Sequence, residues 1–191
     1  MFTSSGRALV RLLLGCGVAG CGVVLPGLAA AQSSGPPTTA IGRPATAADI
    51  QRVDIDVRPD GLGLPPGGAT AADGEPIFAA RCASCHGAAG EGTSSGPRLV
   101  DPTPYQVGVN QPTIGNYWPY ATTVWDYIHR AMPFDAPGSL SNDEVYAVTA
   151  YLLAQNGIIG GNERMDARSL PRVNMPNQPS FTSPDPRPDV P

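Results

Sequence analysis

The chain has 191 residues, a formal net charge of −4 and no lysine. This acidic balance argues against a basic nucleic-acid-binding surface, so nucleic acid is not an expected partner, and nothing indicates a lipid substrate. The length suits one domain with extensions. The 23 glycines and 22 prolines predict extended and looped segments.

The N-terminus has the pattern of an export signal. A positively charged start precedes an apolar run over residues 12–25, and small residues lead to a cleavage point after Ala31. We therefore expect residues 1–31 to be a signal peptide and the protein to be periplasmic. Two alternatives remain open. The sequence "VAGC" resembles a lipidation box ending at Cys21, and the apolar stretch is just long enough to stay as a membrane anchor.

Residues 32–72 are rich in Ala, Gly, Pro and Thr and predict an extended, irregular N-terminal arm. A helix is expected next, with Asp73 as its N-cap and Pro76 in its first turn. Residues 87–120 hold many glycines and prolines and predict a long irregular stretch, which is unusual in a compact domain unless a cofactor supplies the core.

The stretch "RCASCHG" carries the chemistry of the chain, since Cys82, Cys85 and His86 form a C-x-x-C-H motif. This is the pattern of covalent haem attachment. The two thiols bond to the haem, and the adjacent histidine reaches the iron. A thioredoxin-like redox pair and a metal site are the alternatives. A closed zinc site would lack ligands, because His129 is the only other histidine.

An iron held by His86 needs a sixth ligand or has an open site. Met132 lies in "AMPF", where a helix ends and Pro133 forces an extended turn, so we expect its thioether to be the distal ligand. His129, one turn earlier, would give a lower-potential His/His site. Two further methionines in the tail, Met165 and Met175, are weaker alternatives, and Met132 itself could be a core filler.

The remaining contacts to a haem can be predicted from two loops. Axial histidines are normally oriented by a hydrogen bond, and the carbonyl of Pro97 in "GPRL" can accept the Nδ1 proton of His86. Leu99 in the same loop is expected beside the haem. Trp118 belongs to an aromatic cluster that packs around the porphyrin, and its indole proton is a candidate donor to a haem propionate.

The C-terminal part begins with two helices. Residues 121–131 predict a short helix, and "SNDE" predicts a capping box with Ser141 as N-cap and Glu144 at N3. Behind it, four apolar side chains form one stripe and Gly157 is the expected C-terminal cap. The stripe consists of Val145, Val148, Tyr151 and Leu152. Residues 160–191 predict a Pro-rich, non-periodic tail.

Together these motifs resemble class I cytochromes c. "GEPIFAARCASCHG" places Gly74, Phe78 and Cys82 at the family's four-residue steps, "GPRL" and "AMPF" resemble its proximal and distal loops, and "VTAYL" resembles its last helix. The resemblance implies an all-α fold over residues 73–159, with the first and last helices crossing near Gly74. It also implies one covalent haem c with His86 and Met132 as axial ligands.

A wider resemblance includes the arms. "IGRPATAADIQRVDIDVRPDG", "TIGNYWPYATTVWDYIHRAMPF" and "MDARSLPRVNMPN" are similar to the cytochrome subunit of the Sox sulfane dehydrogenase. This implies a donor, a molybdenum-cofactor subunit related to sulfite dehydrogenases, and an acceptor, another c-type cytochrome. A single C-x-x-C-H implies a single haem and excludes a two-haem relay within the chain. The sequence shows no Ser/His/Asp set, phosphate loop or carboxylate pair with catalytic spacing, so the chain alone is expected to transfer electrons rather than to catalyse.

Two other functions are considered. One is a free, diffusing cytochrome c that serves an oxidase or another dehydrogenase, against which the two extensions argue. The other is a haem enzyme with an open sixth site.

The arm offers apolar anchors to the haem domain, and the tail offers apolar residues that we expect to lie along a second protein. Those of the arm are Ile55, Val57, Leu62 and Leu64, and those of the tail are Met165, Leu170, Val173 and Met175.

Overall fold

The computed structural model describes residues 42–182. The predicted signal peptide, with Cys21, lies outside the described residues, as do residues 32–41 and 183–191. The elements in chain order are α1 (Ala47–Val53), β1 (Gly68–Thr70), α2 (Ala71–Arg81), α3 (Ala83–His86), α4 (Ala121–Ala131), α5 (Asn142–Gln155) and β2 (Arg164–Asp166), followed by 3-10 turns at Leu170–Arg172 and Gln178–Ser180. Within residues 42–182 no helix is long and apolar enough to cross a membrane.

The crossing of α2 and α5 forms the centre of the fold. Gly74 lies so close to α5 that an added Cβ would be 2.0 Å from the carbonyl oxygen of Ala147. One turn further along α2, the ring of Phe78 packs against Tyr151, with centroids 5.1 Å apart. The two helices therefore meet backbone to backbone, and an aromatic pair fills the space beside the contact.

Helix α5 is surrounded by protein. All residues from Val145 to Leu153 are buried, because α2, α4 and both strands pack against this helix. The predicted apolar stripe is buried as expected, but the small side chains of Ala147 and Ala150 between its members are buried as well. A helix covered on all sides needs apolar or small residues all round.

Capping boxes begin both helices of the crossing. For α5 the predicted pair is confirmed, since the Ser141 hydroxyl accepts from the Glu144 N–H and the Glu144 carboxylate accepts from the Ser141 N–H. For α2 the predicted N-cap is wrong. The N-cap is Thr70, and Asp73 occupies N3 and completes the box. Pro76 consequently lies inside the helix rather than in its first turn. The bounds of α4 are those predicted.

These caps predict a dependence of stability on acid. The Thr70 N–H holds the pKa of Asp73 below its ordinary value, and the Ser141 N–H does the same for the pKa of Glu144. A lowered folded-state pKa stabilises the fold above the ordinary value of about 4, and this contribution is lost as the pH falls through the lowered pKa. We expect the Tm to fall below about pH 4.

The measurement is thermal unfolding by circular dichroism as a function of pH. The double variant Asp73→Asn, Glu144→Gln should show a flatter decline of Tm in acid than the wild type. The variant Asp54→Asn, at an exposed position, is the matched control and should follow the wild-type profile. Identical acid profiles for the double variant and the wild type would contradict the prediction.

The N-terminal arm is held on α4 by charged groups. The Val57 N–H donates to Asp126 Oδ1 at 3.2 Å, and Arg130 joins Asp126 to Asp56 through contacts of 2.5 and 2.6 Å. Of the predicted apolar anchors, Val57 and Leu64 pack against the core, whereas Ile55 and Leu62 are exposed. The arm also contains α1, which the sequence analysis did not predict.

The arm and the tail meet in a small sheet. Strands β1 and β2 pair antiparallel, with Gly68 opposite Asp166, Ala69 opposite Met165 and Thr70 opposite Arg164. The regular structure of the described residues is mostly helical, as expected, with one short two-stranded sheet beside the helices, and the two extensions are not wholly irregular. From Ala45 onward the described arm and tail belong to the same compact unit as the helices.

The apolar residues of the tail are buried in this chain. Met165, Leu170 and Met175 are only 3%, 1% and 3% exposed, and Val173 packs against the same core. The prediction that they lie along a second protein is wrong. Because the tail passes over α4 and α5, these side chains close one side of the domain.

Truncation of a tail residue is therefore expected to cost stability. Leu170→Ala should lower the free energy of unfolding by about 2–4 kcal/mol, because it removes buried methyl groups and leaves a cavity. Denaturant unfolding followed by circular dichroism measures the change. Val109→Ala is the control, since Val109 is 76% exposed and its truncation should change stability by less than about 0.5 kcal/mol. Equal losses in the two variants would contradict burial of the tail.

Candidate functional site

The motif residues lie on one helical turn. Cys82 ends α2 and precedes α3, and the N–H groups of Cys85 and His86 both donate to its carbonyl oxygen, at 3.1 and 3.0 Å. Side chains three and four positions apart share one face of a helix. Gly87, with φ of 84°, then turns the chain away in a conformation that favours glycine. The two thiols and the imidazole are thus presented together.

This face borders a largely apolar cavity of about 500 Å³. Cys82, Cys85 and His86 line one part of it, and Met132 lines another. The apolar side chains of the remaining lining are Phe78, Ala80, Pro97, Leu99, Ile128, Pro133, Phe134, Leu140, Val148 and Leu152. Two thiols, one imidazole and one thioether around an apolar cavity are a donor set that fits a covalently bound haem.

The proximal imidazole is oriented as the sequence predicted. His86 Nδ1 lies 2.8 Å from the carbonyl oxygen of Pro97. A carbonyl only accepts, so Nδ1 carries the proton and Nε2 keeps its lone pair for a metal. Loop residues up to Leu99 are held by Asn156, which donates to the Leu99 carbonyl at 3.2 Å and accepts from the Asp101 N–H at 3.0 Å. This buried asparagine was not predicted from the sequence.

Met132 is presented from the end of a helix. It is the C-cap of α4, with the extended backbone φ −124° and ψ 146°, and its side chain is partly buried against the core. Of the alternative ligands, Met165 and Met175 are buried in the core and neither is among the residues that line the cavity. Met132 is the methionine that shares the cavity with His86.

His129 lies beside the cavity rather than in its lining. Its ring stacks on Trp125 with centroids 4.7 Å apart. Within residues 42–182, His129 Nδ1 and Trp125 Nε1 are buried side-chain atoms without a hydrogen-bond partner. His129, the alternative iron ligand, therefore packs against an aromatic ring.

The protonation of Cys82 helps to separate haem attachment from a redox dithiol. Burial raises the pKa of Cys82 to about 11, although the charge of Arg81 opposes the increase. Attacking cysteines of redox pairs have a lowered pKa instead. Both motif cysteines are free thiols, so both sulfurs are available for bonds to a cofactor.

The three predicted haem contacts have different outcomes. Pro97 and Leu99 line the cavity, but Trp118 does not, and its ring packs edge-on against Tyr127 with centroids 5.6 Å apart. Phe134, which was not singled out from the sequence, lines the cavity and is 85% exposed. Its position directly after the Met–Pro pair in "AMPF" is the signal that could have identified it.

Comparison with known proteins agrees with this geometry. The family model described as Cytochrome c matches residues 71–156. Thiosulfate dehydrogenase of Stutzerimonas stutzeri (strain A1501) is 34% identical over 88 residues, which are 46% of this chain but only 28% of that protein. The crystal structure of the sulfane dehydrogenase SoxCD from Paracoccus pantotrophus is 41% identical, with 78% of this chain and 74% of that chain covered and a TM-score of 0.68.

Proposed function

The chain belongs to the cytochrome c family, and on that basis we propose that it is a periplasmic, monohaem electron-transfer subunit of a sulfur-compound dehydrogenase. Its donor is a molybdenum-cofactor subunit that oxidises a sulfane or sulfite substrate, and its acceptor is another c-type cytochrome. Membership of the family implies covalent haem c and electron transfer, and the relatives connect the chain to sulfur oxidation.

The side chains of the cavity have distinct roles in this function. Cys82 and Cys85 would hold the haem, and His86, oriented by Pro97, and Met132 would coordinate its iron. Bound haem c supplies a one-electron ferric/ferrous couple. A thioether ligand favours the ferrous state and raises the potential, and the apolar lining keeps water from the iron.

The observation that supports the partner is the extent of the SoxCD alignment. It covers 78% of the chain, well beyond residues 71–156 that the family model matches, so it includes parts of the extensions. The resemblance of both extensions to the Sox cytochrome subunit implies pairing with a molybdenum-cofactor subunit. The export pattern of residues 1–31 supports the periplasm, where haem c is attached.

One observation favours the free, diffusing cytochrome as a second candidate. The apolar residues of the tail are buried in this chain, so the extensions no longer argue that a partner must cover them. The open-site enzyme has no such support, because Met132 lines the same cavity as His86.

The decisive experiment mixes the ferric cytochrome with the purified molybdenum-cofactor subunit of the same cell under anaerobic conditions. Stopped-flow absorbance should show haem reduction only when a substrate is present, and separate runs with sulfite and with a sulfane-bearing substrate identify the substrate class. Gel filtration should show one complex of the two chains. Absence of both reduction and complex formation would favour the diffusing cytochrome.

The haem count has its own test. Intact-mass measurement of protein from a cytochrome-maturing host should show the polypeptide plus one haem, because the chain holds one C-x-x-C-H. The double variant Cys82→Ala, Cys85→Ala should show the bare polypeptide. A wild-type mass without haem, or with two, would refute the monohaem proposal.

A further inference from the structure

The hydrogen bond that orients His86 is provided by a loop without regular structure. Residues 95–97 line the haem cavity on one side, and on the other they line a second, open cavity of about 940 Å³. That second cavity is lined largely by polar and glycine residues of the stretches 91–98 and 108–111. Residues 93–99 therefore form a thin wall between the two cavities, with no packed core behind it. Other contacts must hold the Pro97 carbonyl in place.

The hydroxyl of Thr93 provides the contact at the N-terminal end of this wall. Thr93 Oγ1 donates to the carbonyl oxygen of Cys85 at 2.5 Å and accepts from the Ser95 N–H at 3.0 Å. The Thr93 N–H donates to the Gly96 carbonyl at 2.9 Å. The side chain thus joins the loop to the residue directly before His86 and also closes the turn that leads to Pro97.

Gly96 completes the contact. An added Cβ at Gly96 would lie 2.7 Å from the carbonyl oxygen of Cys85, so the loop backbone rests directly on the haem-attachment motif. At the other end of the wall, Asn156 holds Leu99. Between these two attachments the chain is short, and backbone hydrogen bonds from the Gly92 N–H to the His86 carbonyl and from the Leu99 N–H to the Gly90 carbonyl, at 2.7 and 2.8 Å, hold it as well.

We propose that Thr93 is a positioning residue for the proximal histidine. Its hydroxyl fixes the loop 93–97 on Cys85 and thereby keeps the Pro97 carbonyl 2.8 Å from His86 Nδ1. A hydrogen bond donated by the Nδ1 N–H makes the imidazole a stronger electron donor to the iron, which stabilises the ferric state. Loss of the Thr93 hydroxyl weakens that bond and raises the reduction potential. This inference rests on the proposed haem ligation but not on the proposed partner.

The test uses the purified holoprotein. Thr93→Val keeps the size of the side chain and removes the hydroxyl. It should raise the midpoint potential, shift the NMR resonances of the His86 ring, and accelerate exchange of the Nδ1 proton with deuterium. Thr93→Ser should restore all three values to those of the wild type. Ser94→Ala is the matched control for an exposed hydroxyl in the same loop and should change none of them.

The midpoint potential and the exchange rate of the Nδ1 proton distinguish a positioning role from a purely structural one. If the Thr93 hydroxyl only stabilised the fold, its removal would lower the Tm and leave both of these values unchanged. An unchanged potential and exchange rate in Thr93→Val would overturn the proposal, as would a Thr93→Ser variant that behaves like Thr93→Val. If Thr93→Val yields no holoprotein, Thr93→Ala takes its place under the same expectations. A wild-type spectrum without His/Met ligation would instead contradict the proposed function, so the two failures are distinguishable.

Discussion

Replacing Met132 by alanine is expected to lower the midpoint potential by roughly 0.1–0.3 V, within the range of about 0.8 V that axial ligands span in haem proteins. The thioether favours ferrous iron, and alanine leaves the sixth position to water or to a nitrogen ligand. The ferric protein should also lose the weak absorption band at the red end of the spectrum that accompanies methionine ligation. Redox titration and visible spectroscopy measure both effects.

Two variants serve as controls for this assignment. Met175→Leu preserves the volume of a buried methionine outside the cavity lining and should leave the spectrum and the potential unchanged. His129→Gln should likewise keep methionine ligation, because His129 stacks on Trp125. If Met132→Ala retains the band while His129→Gln loses it, the distal ligand is not Met132.

Gly74→Ala is expected to destabilise the domain by about 3 kcal/mol or more, which is at or above the usual cost of overpacking. The new methyl carbon would lie 2.0 Å from the carbonyl oxygen of Ala147 and 2.8 Å from the Cβ of Tyr151. Backbone atoms cannot rotate away, so α2 and α5 must separate. Alanine inside a helix would otherwise stabilise it by roughly 0.5–1 kcal/mol.

The effect of Gly74→Ala can be measured by denaturant unfolding of the holoprotein. Gly161→Ala is the matched control, because an added Cβ there has nothing within 4 Å, and it should change the unfolding free energy by less than about 0.5 kcal/mol. A neutral or stabilising effect of Gly74→Ala would show that the helices do not meet as closely as described.

The parts of the fold that the sequence predicted are those with local signals. Helix α4 and the cap of α5 were predicted because hydrophobic periodicity and the "SNDE" box depend on neighbouring residues alone. The same box occurs at Thr70 with Asp73 and at Thr46 with Asp49. Those two matches were overlooked in an arm whose Gly and Pro content favoured irregular structure.

The paths of the two extensions could not be predicted in the same way. Met165, Leu170 and Met175 recur every five residues, which matches neither a helix nor a strand, so their spacing does not indicate the surface that they cover. Strands of three residues carry no usable alternation, and pairing between β1 and β2 depends on contacts distant in sequence.

The site was predictable to the extent that its chemistry is local. The C-x-x-C-H motif identified the two thiols and the imidazole, and the geometry of the Pro97 carbonyl agreed with the expectation from "GPRL". Trp118 and Trp125 show where this reasoning stops. Both are aromatic residues near the Met loop, but tertiary packing places Trp118 against Tyr127 and Trp125 against His129, and neither lines the cavity.

The pairing of β1 with β2 has a consequence for the order of folding. Its partners, such as Gly68 and Asp166, are almost a hundred residues apart, and contacts across so long a loop tend to form late. The thiols of Cys82 and Cys85 therefore remain within reach until residues 164–166 pair with β1. Covalent attachment of haem can then take place while the cavity is still accessible. The sheet would close the domain around a cofactor that is already bound.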